Sequence, residues 1–267
     1  MTPSIRVYEA FTDGTHAERL LGGMGTSWCA GNVVLKPSPG PALTRCLATT
    51  HDTLPEDPNC RFQRPVRAKS GAWEVDGWTA WCWIKGKTHP SRATETLHAA
   101  RSYHRLLRNL PYDPALVGRD DPWARADRVA WDEVSADYGA PFDTLLSRLR
   151  VTPPMLDRQR VHADLTGNVV LAEGLPPGII DPTLYWRPTA LAEAIVLVDQ
   201  GWFADVPDIA PFAATPALPA MIRIAARRRV AEQAEQMRSG KDRDLSVATA
   251  HRVAEWSDRV LTQLTAP

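Results

Sequence analysis

Near Lys85 the chain changes texture, and few folds accommodate the order in which it does so. Before that point, short apolar runs alternate with turn residues. "TSWCA" and "NVVLK" flank Gly31-Asn32, a hairpin signal. "RFQRPVRA", "WEVDG" and "WTAWCWI" add further strands, with Ser70-Gly71 and Asp76-Gly77 as turns. "AERLL" leads into this group, and two helices are expected within it, at "SIRVYEAF" and "PALTRCLATTHDTL". Beyond "KGKTHP" the apolar residues recur at helical spacing. "SRATETLHAARSYHRLL" carries Leu97, Ala100, His104 and Leu107 on one stripe, with Ser91 as the expected N-cap. "DDPWARADRVAWDEV" opens on Asp120-Asp121-Pro122, a cap followed by a first-turn proline, and presents Trp123, Ala126, Ala130 and Val134 on one face. "FDTLLSRLR" and three long helical patterns follow. Strands first and helices second predict an α+β protein of two lobes rather than alternating βαβ units. The expected parts are an N-terminal antiparallel sheet lobe over 1–84 and a mainly helical C-terminal lobe over 85–267.

Charge excludes some partners. Lys plus Arg and Asp plus Glu number 31 each, so no net field draws the chain to nucleic acid or an anionic membrane. The basic cluster Arg223 with Arg227, Arg228 and Arg229 is expected on a solvated helix face. With no leader pattern and no apolar run near the roughly 20 residues of a membrane span, a soluble cytoplasmic protein is expected. Cys29, Cys46, Cys60 and Cys82 form no C-x-x-C pair, so reduced thiols, mostly buried, are expected.

The residues that point to chemistry fall in two groups. In "VHADLTGNVVL", Asp164 and Asn168 share one short loop between apolar runs. Asp181 ends "GIID" after a hairpin that returns it beside Asn168. Two oxygen donors at one point suit Mg²⁺, which completes its shell with water and phosphate oxygens. Asp164 then stands free to orient a hydroxyl and accept its proton. The strand-rich part supplies "LLGGMGTS", where Gly22, Gly23 and Gly25 let backbone N–H groups approach a phosphate. Lys36 follows at the end of the next strand. No G-K-[ST] follows these glycines, and they open no helix of a βαβ unit, so neither a P-loop nor a dinucleotide fingerprint is present.

In this order the motifs resemble the aminoglycoside-phosphotransferase-like branch of the protein-kinase-like fold. "HADLTGN" is similar to that branch's H-G-D-L-x-x-x-N loop and "GIID" to its metal strand. "RDDPWARADRVAW", "VHADLTGNVVLAEGLPPGIIDPTLYWRP" and "VVLKP" resemble an actinobacterial group within it. The resemblance implies an ATP- or GTP-dependent phosphotransferase acting on the hydroxyl of a small molecule. It gives Asp164 the role of base, Asn168 and Asp181 that of Mg²⁺ ligands, and Lys36 that of phosphate holder. Gly22 to Gly25 would cover the nucleotide, Ala80 to Ile84 would form the hinge, and His162 would brace the catalytic loop. Aminoglycosides, other sugars, amino alcohols, a natural-product intermediate and a protein hydroxyl all fit such machinery.

Three departures bear on this reading. Asp164 to Asn168 is a step of four, where kinases have five. Ala163 replaces the usual Gly or Arg. The helix "PALTRCLATTHDTL" has no Glu to pair with Lys36. The first and the last favour a second reading, a kinase-like binding or regulatory module with weak or no catalysis. A metal-dependent hydrolase built on His162, Asp164 and Asp181 ranks below both, because no second histidine lies near them in the sequence. Trp78, Trp81 and Trp83 are expected on one strand face, either as packing between the lobes or with Trp83 lining the nucleotide base. Tyr185, Trp186 and Arg187 either border the acceptor or lock the loop onto the helical lobe. Asp199, Trp202 and Asp205 lie near a helix end, where an acceptor surface would be.

Overall fold

The computed structural model describes residues 2–13, 17–21 and 25–265. Helix α1 (Ile5–Phe11) is capped by Ser4, whose hydroxyl accepts from the Val7 N–H. Then come β1 (Glu18–Arg19), β2 (Trp28–Ala30), β3 (Val33–Pro37), α2 (Pro41–Thr53), β4 (Arg61–Phe62), β5 (Pro65–Val66), β6 (Glu74–Val75) and β7 (Trp78–Cys82). The predicted hairpin is β2–β3, closed by Gly31 at φ +59, a conformation that glycine adopts without steric strain. All pairings in this sheet are antiparallel, in the order β1-β2-β3-β7-β5, with β6 also on β7. Lys36 therefore sits on an interior strand, where its backbone is held from β7.

The tryptophan expectation is corrected. The β3–β7 register runs unbroken from Val33–Cys82 to Pro37–Trp78, so no bulge shifts the alternation of side chains. Trp78 packs under α1 with Val7, Phe11 and Leu35. Trp81, three residues on, joins the main core on the opposite face. Trp83 lies past the strand end and is 45% exposed.

The second part holds β8 (Lys87–Thr88), α3 (Ala93–Leu107), α4 (Pro122–Ala130), α5 (Phe142–Arg148), β9 (Gln159–His162), β10 (Val169–Ala172), β11 (Leu175–Ile179), β12 (Leu184–Arg187), α6 (Thr189–Asp199), α7 (Leu218–Arg238) and α8 (Arg243–Thr265). The α3 stripe is buried as its spacing predicts. Its cap is not Ser91: the helix starts one residue later, after Arg92, with no side-chain cap. Asp121 does cap α4, accepting from the Ala124 N–H. That helix stops at Ala130, short of the expected length, and Asp132 turns the chain at φ +54, so Val134 is exposed rather than on the helix face. Helix α6 is apolar on nearly all sides and is buried from Ala190 to Asp199, with α3, α7 and α8 around it. Among the described residues no helix is long and apolar enough to cross a membrane. The four cysteines are unpaired; Cys46 and Cys60 are buried, and burial pushes both thiols up to about 12.

A second sheet joins the two parts. Its order is β4-β11-β10-β8, so a strand from the first part lies parallel to the hairpin that precedes Asp181. Packing at this seam is tight. A Cβ on Gly178 would stand 2.7 Å from Ile84 Cγ2 and 2.9 Å from Val170 Cγ2. Gly178→Ala is therefore expected to destabilise the protein by about 1–3 kcal/mol, the range for overpacking a close contact. Urea unfolding measures it, and a loss within error of zero would show that the seam yields freely.

Candidate active site

Lys36 and Asp181, 145 residues apart, meet across the junction of the two parts. Lys36 Nζ lies 2.9 Å from Asp181 Oδ1. The Asp181 carboxylate is 56% exposed, whereas the Lys36 side chain is 15% exposed. Asp181 itself sits at φ +53, in the left-handed region that Asp tolerates better than most residues. Dense surroundings work to raise its carboxyl, but the adjacent ammonium outweighs them, with a smaller contribution from His162, and holds it below the ordinary aspartate value.

The missing helix glutamate is replaced by an amide that sequence reasoning did not single out. Gln63, just past β4 and 3% exposed, has its Oε1 2.9 Å from the Asp181 N–H and 3.4 Å from Lys36 Nζ. Its Nε2 donates to the Cys82 carbonyl at 3.2 Å. One side chain thus touches β3, the segment just after β11 and the end of β7. No motif marks it; the only signal was the absence of an acid in α2. That helix presents Leu43, Thr44 and Leu47 to a cavity of about 160 Å³ that Lys36 and Asp181 also line. Thr44 meets the Ser38 hydroxyl there and makes no bond to Lys36.

The loop after β9 carries Asp164. His162 ties it down: Nδ1 accepts from the Asp164 N–H at 3.3 Å, and Nε2 faces the Ile180 carbonyl at 3.2 Å. A single imidazole spans the loop and the residue before Asp181. Gly167 turns the chain at φ +82, and the Ile180 N–H donates to the Asn168 carbonyl at 3.0 Å. Asn168 and Asp181 are therefore neighbours, as the hairpin implied. The Asn168 amide turns back and donates to the Asp164 carbonyl at 2.7 Å. Its Oδ1 takes part in no described hydrogen bond.

This donor set fits Mg²⁺: an ionised, exposed carboxylate, an unengaged amide oxygen, and space for water and phosphate. Among the described residues no cluster of three His, Cys, Asp or Glu forms a self-sufficient metal cage. Of the other expected site residues, Gly22 and Gly23 lie outside the described residues. Gly25 has φ +62, and its carbonyl accepts from Arg19 Nε at 2.7 Å. The Trp83 N–H donates to the Asn32 carbonyl at 2.8 Å. Neither takes part in the Lys36–Asp181 contact.

The expectation of a solvated arginine face is overturned. Arg227 and Arg228 are buried, and Arg229 is 15% exposed. Helix α7 is surrounded by α4, α6 and α8, and acids on α4, on α6, on α7 itself and in two loops meet the arginines. Arg227 binds Asp132 at 2.8 Å and the Ala130 carbonyl at 3.1 Å. Arg228 donates to the Ala163 carbonyl at 2.6 Å and lies 3.1 Å from Glu232. Arg229 binds Asp199, Glu232 and Asp164. Paired arginines can be buried, and a helical pattern that scores arginine as polar cannot see the partners. The same network holds Tyr185 and Arg187, two of the three residues whose role was left open. Tyr185 is buried between the guanidinium groups of Arg119 and Arg228, at 4.6 and 4.5 Å. Arg187 is held by Asp127 and Glu133. Both lock the loop onto the helices. Asp199 is buried against Arg229 rather than open to a ligand.

A second histidine, distant in sequence, does lie beside His162 in the fold. His104 Nε2 accepts from the His162 N–H at 3.0 Å, and His51 Nε2 meets the Tyr103 hydroxyl at 2.5 Å. These rings serve the core. Burial lowers His51 to about 4 and His104 to about 3, so both are neutral in the fold. Their unfolded counterparts take up protons near pH 6.5. Stability contributed by these two groups is therefore present above pH 6.5. It falls as pH drops toward 4, by about 3 kcal/mol per pH unit with both titrating in the unfolded state. Urea midpoints across pH 4–7 measure this, with His51→Gln expected to flatten the curve; a pH-independent midpoint would contradict it.

With this geometry, the fold compares closely with solved kinases of small molecules. The aminoglycoside phosphotransferase of Alicyclobacillus acidocaldarius aligns at TM-score 0.53 and 17% identity, over 91% of this chain and 90% of that one. Choline kinase LicA of Streptococcus pneumoniae aligns at 0.57 and 13%, over 91% and 93%. The GDP and kanamycin complex of APH(2")-IIIa aligns at 0.55 and 14%, over 93% and 92%. The chain has the kinase-like fold of these phosphotransferases. No family model matches the sequence. No curated protein matches it either. The antiparallel first sheet and the mainly helical second part agree with the expected α+β architecture.

Proposed function

We propose that the protein is a phosphotransferase that moves the γ-phosphate of ATP or GTP to a hydroxyl of a small molecule. The observation that carries this reading is the Lys36–Asp181 contact beside the loop of Asp164 and Asn168. The similarity to solved aminoglycoside phosphotransferases and a choline kinase supports it. In this reading Lys36 holds the nucleotide phosphates, and the ammonium exchanges Asp181 for phosphate oxygens. Asn168 and Asp181 would hold Mg²⁺, which would neutralise charge on the phosphates. The Asp164 carboxylate aligns the acceptor hydroxyl, whose oxygen attacks the γ-phosphorus as the bond to the bridging oxygen breaks. Its proton passes to Asp164.

Gln63 favours this over a non-binding module, because it holds the lysine where an acid is absent. Thermal unfolding with Mg-ATP and Mg-GTP is the direct test. A ligand at about a hundred times its Kd stabilises the native state by about 2.7 kcal/mol. A clear rise in Tm with at least one nucleotide, reduced in Asp181→Ala, is expected. An unchanged Tm at millimolar nucleotide would reject the reading. Product analysis with neutral sugars, amino alcohols and aminoglycosides then sorts the acceptor.

A further inference from the structure

Helix α7 places two consecutive arginines beneath the loop that carries Asp164. Arg228 binds the backbone just before it, through the Ala163 carbonyl. Arg229 binds the Asp164 side chain, with Nη2 3.1 Å from Oδ1. The other bonds of Arg229 show what sort of contact this is. Nε and Nη2 grip Asp199 at 2.9 and 2.6 Å, and Nη1 meets Glu232 Oε2 at 2.8 Å. The Asp199 and Glu232 side chains are 5% and 4% exposed, whereas that of Asp164 is 41% exposed. Two buried acids thus fix the guanidinium plane, and the fixed donor reaches one accessible carboxylate. The remaining oxygen, Oδ2, has only the Asn168 amide at 3.4 Å.

We infer that Arg229 is a positioning residue for Asp164: it holds Oδ1 so that Oδ2 is left to receive the acceptor's hydroxyl. This rests on the phosphotransferase reading. A guanidinium suits the task because its planar fork serves three acids in fixed directions, which a lysine ammonium cannot do with the same geometry. Helix α7 spans 21 residues and is packed by α4, α6 and α8, so the donor is carried on a rigid element. Displacing a reacting group by an ångström can cost on the order of a hundredfold in rate.

The test uses water as the acceptor, so that no identified substrate is needed. Water oxygen attacks the γ-phosphorus, the bond to the bridging oxygen breaks, the diphosphate leaves, and the proton passes to Asp164. Turnover of Mg-ATP and Mg-GTP to the diphosphate and phosphate is measured alongside nucleotide Kd. Arg229→Lys keeps one charge. The double variant Arg229→Gln/Asp199→Asn removes the guanidinium and one buried acid together, so that the fold is not left with an added unpaired charge. Both are expected to lose about 10- to 100-fold in kcat while nucleotide Kd changes little. Guanidinium at a non-denaturing concentration is expected to restore part of the turnover in Arg229→Ala and none in Asp164→Asn. Unchanged turnover in the double variant overturns the inference. A loss of nucleotide affinity that matches the loss of turnover also overturns it, because that marks a merely structural role. Wild-type protein that neither binds nor turns over nucleotide rejects the phosphotransferase reading itself.

Discussion

Asp164→Asn is expected to lower phosphoryl turnover by about 10²- to 10⁴-fold, the usual contribution of a placed general base, with nucleotide affinity largely kept. The substitution is nearly isosteric. Asp164 is 41% exposed, and Arg229 retains two buried acids without it, so the fold has no reason to fail. With the amide oxygen kept by the Arg229 donor, an NH2 group stands where Oδ2 was, so it neither accepts the hydroxyl's hydrogen bond nor takes its proton. In the proposed reading nucleotide binding rests on Lys36, Asp181 and Asn168, which the change leaves in place. Steady-state kinetics with the best acceptor, set beside Tm shifts with Mg-nucleotide, separates the two effects. A variant with wild-type turnover would remove Asp164 from the role of base. One that loses nucleotide binding in proportion would make it a structural residue.

The second large effect falls on stability. Arg187, at the end of β12, donates to Asp127 at 2.8 Å and to both Glu133 oxygens at 2.6 and 2.7 Å. The side chains of Arg187 and Asp127 are 5% and 3% exposed. Arg187→Met leaves Asp127 with Arg228 at 3.8 Å and no aligned hydrogen bond to either arginine. Breaking a buried pair in this way typically costs about 3–5 kcal/mol, because a buried charge loses its compensation. The double variant Arg187→Met/Asp127→Leu is expected to recover a large share, since an apolar pair of similar volume needs no partner. Chemical denaturation of the two variants measures this. A single variant that unfolds like wild type, or a double variant no better than the single, would show that the pair does not act as a unit. Strand β12 pairs with β9, which leads directly into the Asp164 loop, so activity and stability are expected to fall together in the single variant.

What could be read from the sequence followed from local chemistry. The Gly31 turn, the Asp121 cap and the hairpin between Asn168 and Asp181 depend on neighbours along the chain, and each formed as expected. The order of strands and helices likewise gave the architecture. What was not legible depends on partners distant in sequence. Arg228 and Arg229 read as surface residues because, beside Glu232 on their own helix, the acids that bury them lie elsewhere, as with Asp127 on α4 and Asp199 on α6. Gln63 carries no motif, and its three contacts come from β3, β7 and the end of the β10–β11 hairpin. The tryptophans were misplaced for a simpler reason: one shared face was expected, whereas the strict alternation that β7 keeps sends Trp78 and Trp81 to opposite faces.

The shared sheet also limits how the molecule can breathe. Because β4 is hydrogen-bonded to β11, and Gln63 anchors the chain at the exit of β4, the edge near Asp181 cannot part without breaking ladder bonds. Any widening must therefore swing about that edge, with the largest displacement at the far rim, where β1 and β2 lie. In the proposed reading, nucleotide would arrive and leave from that rim.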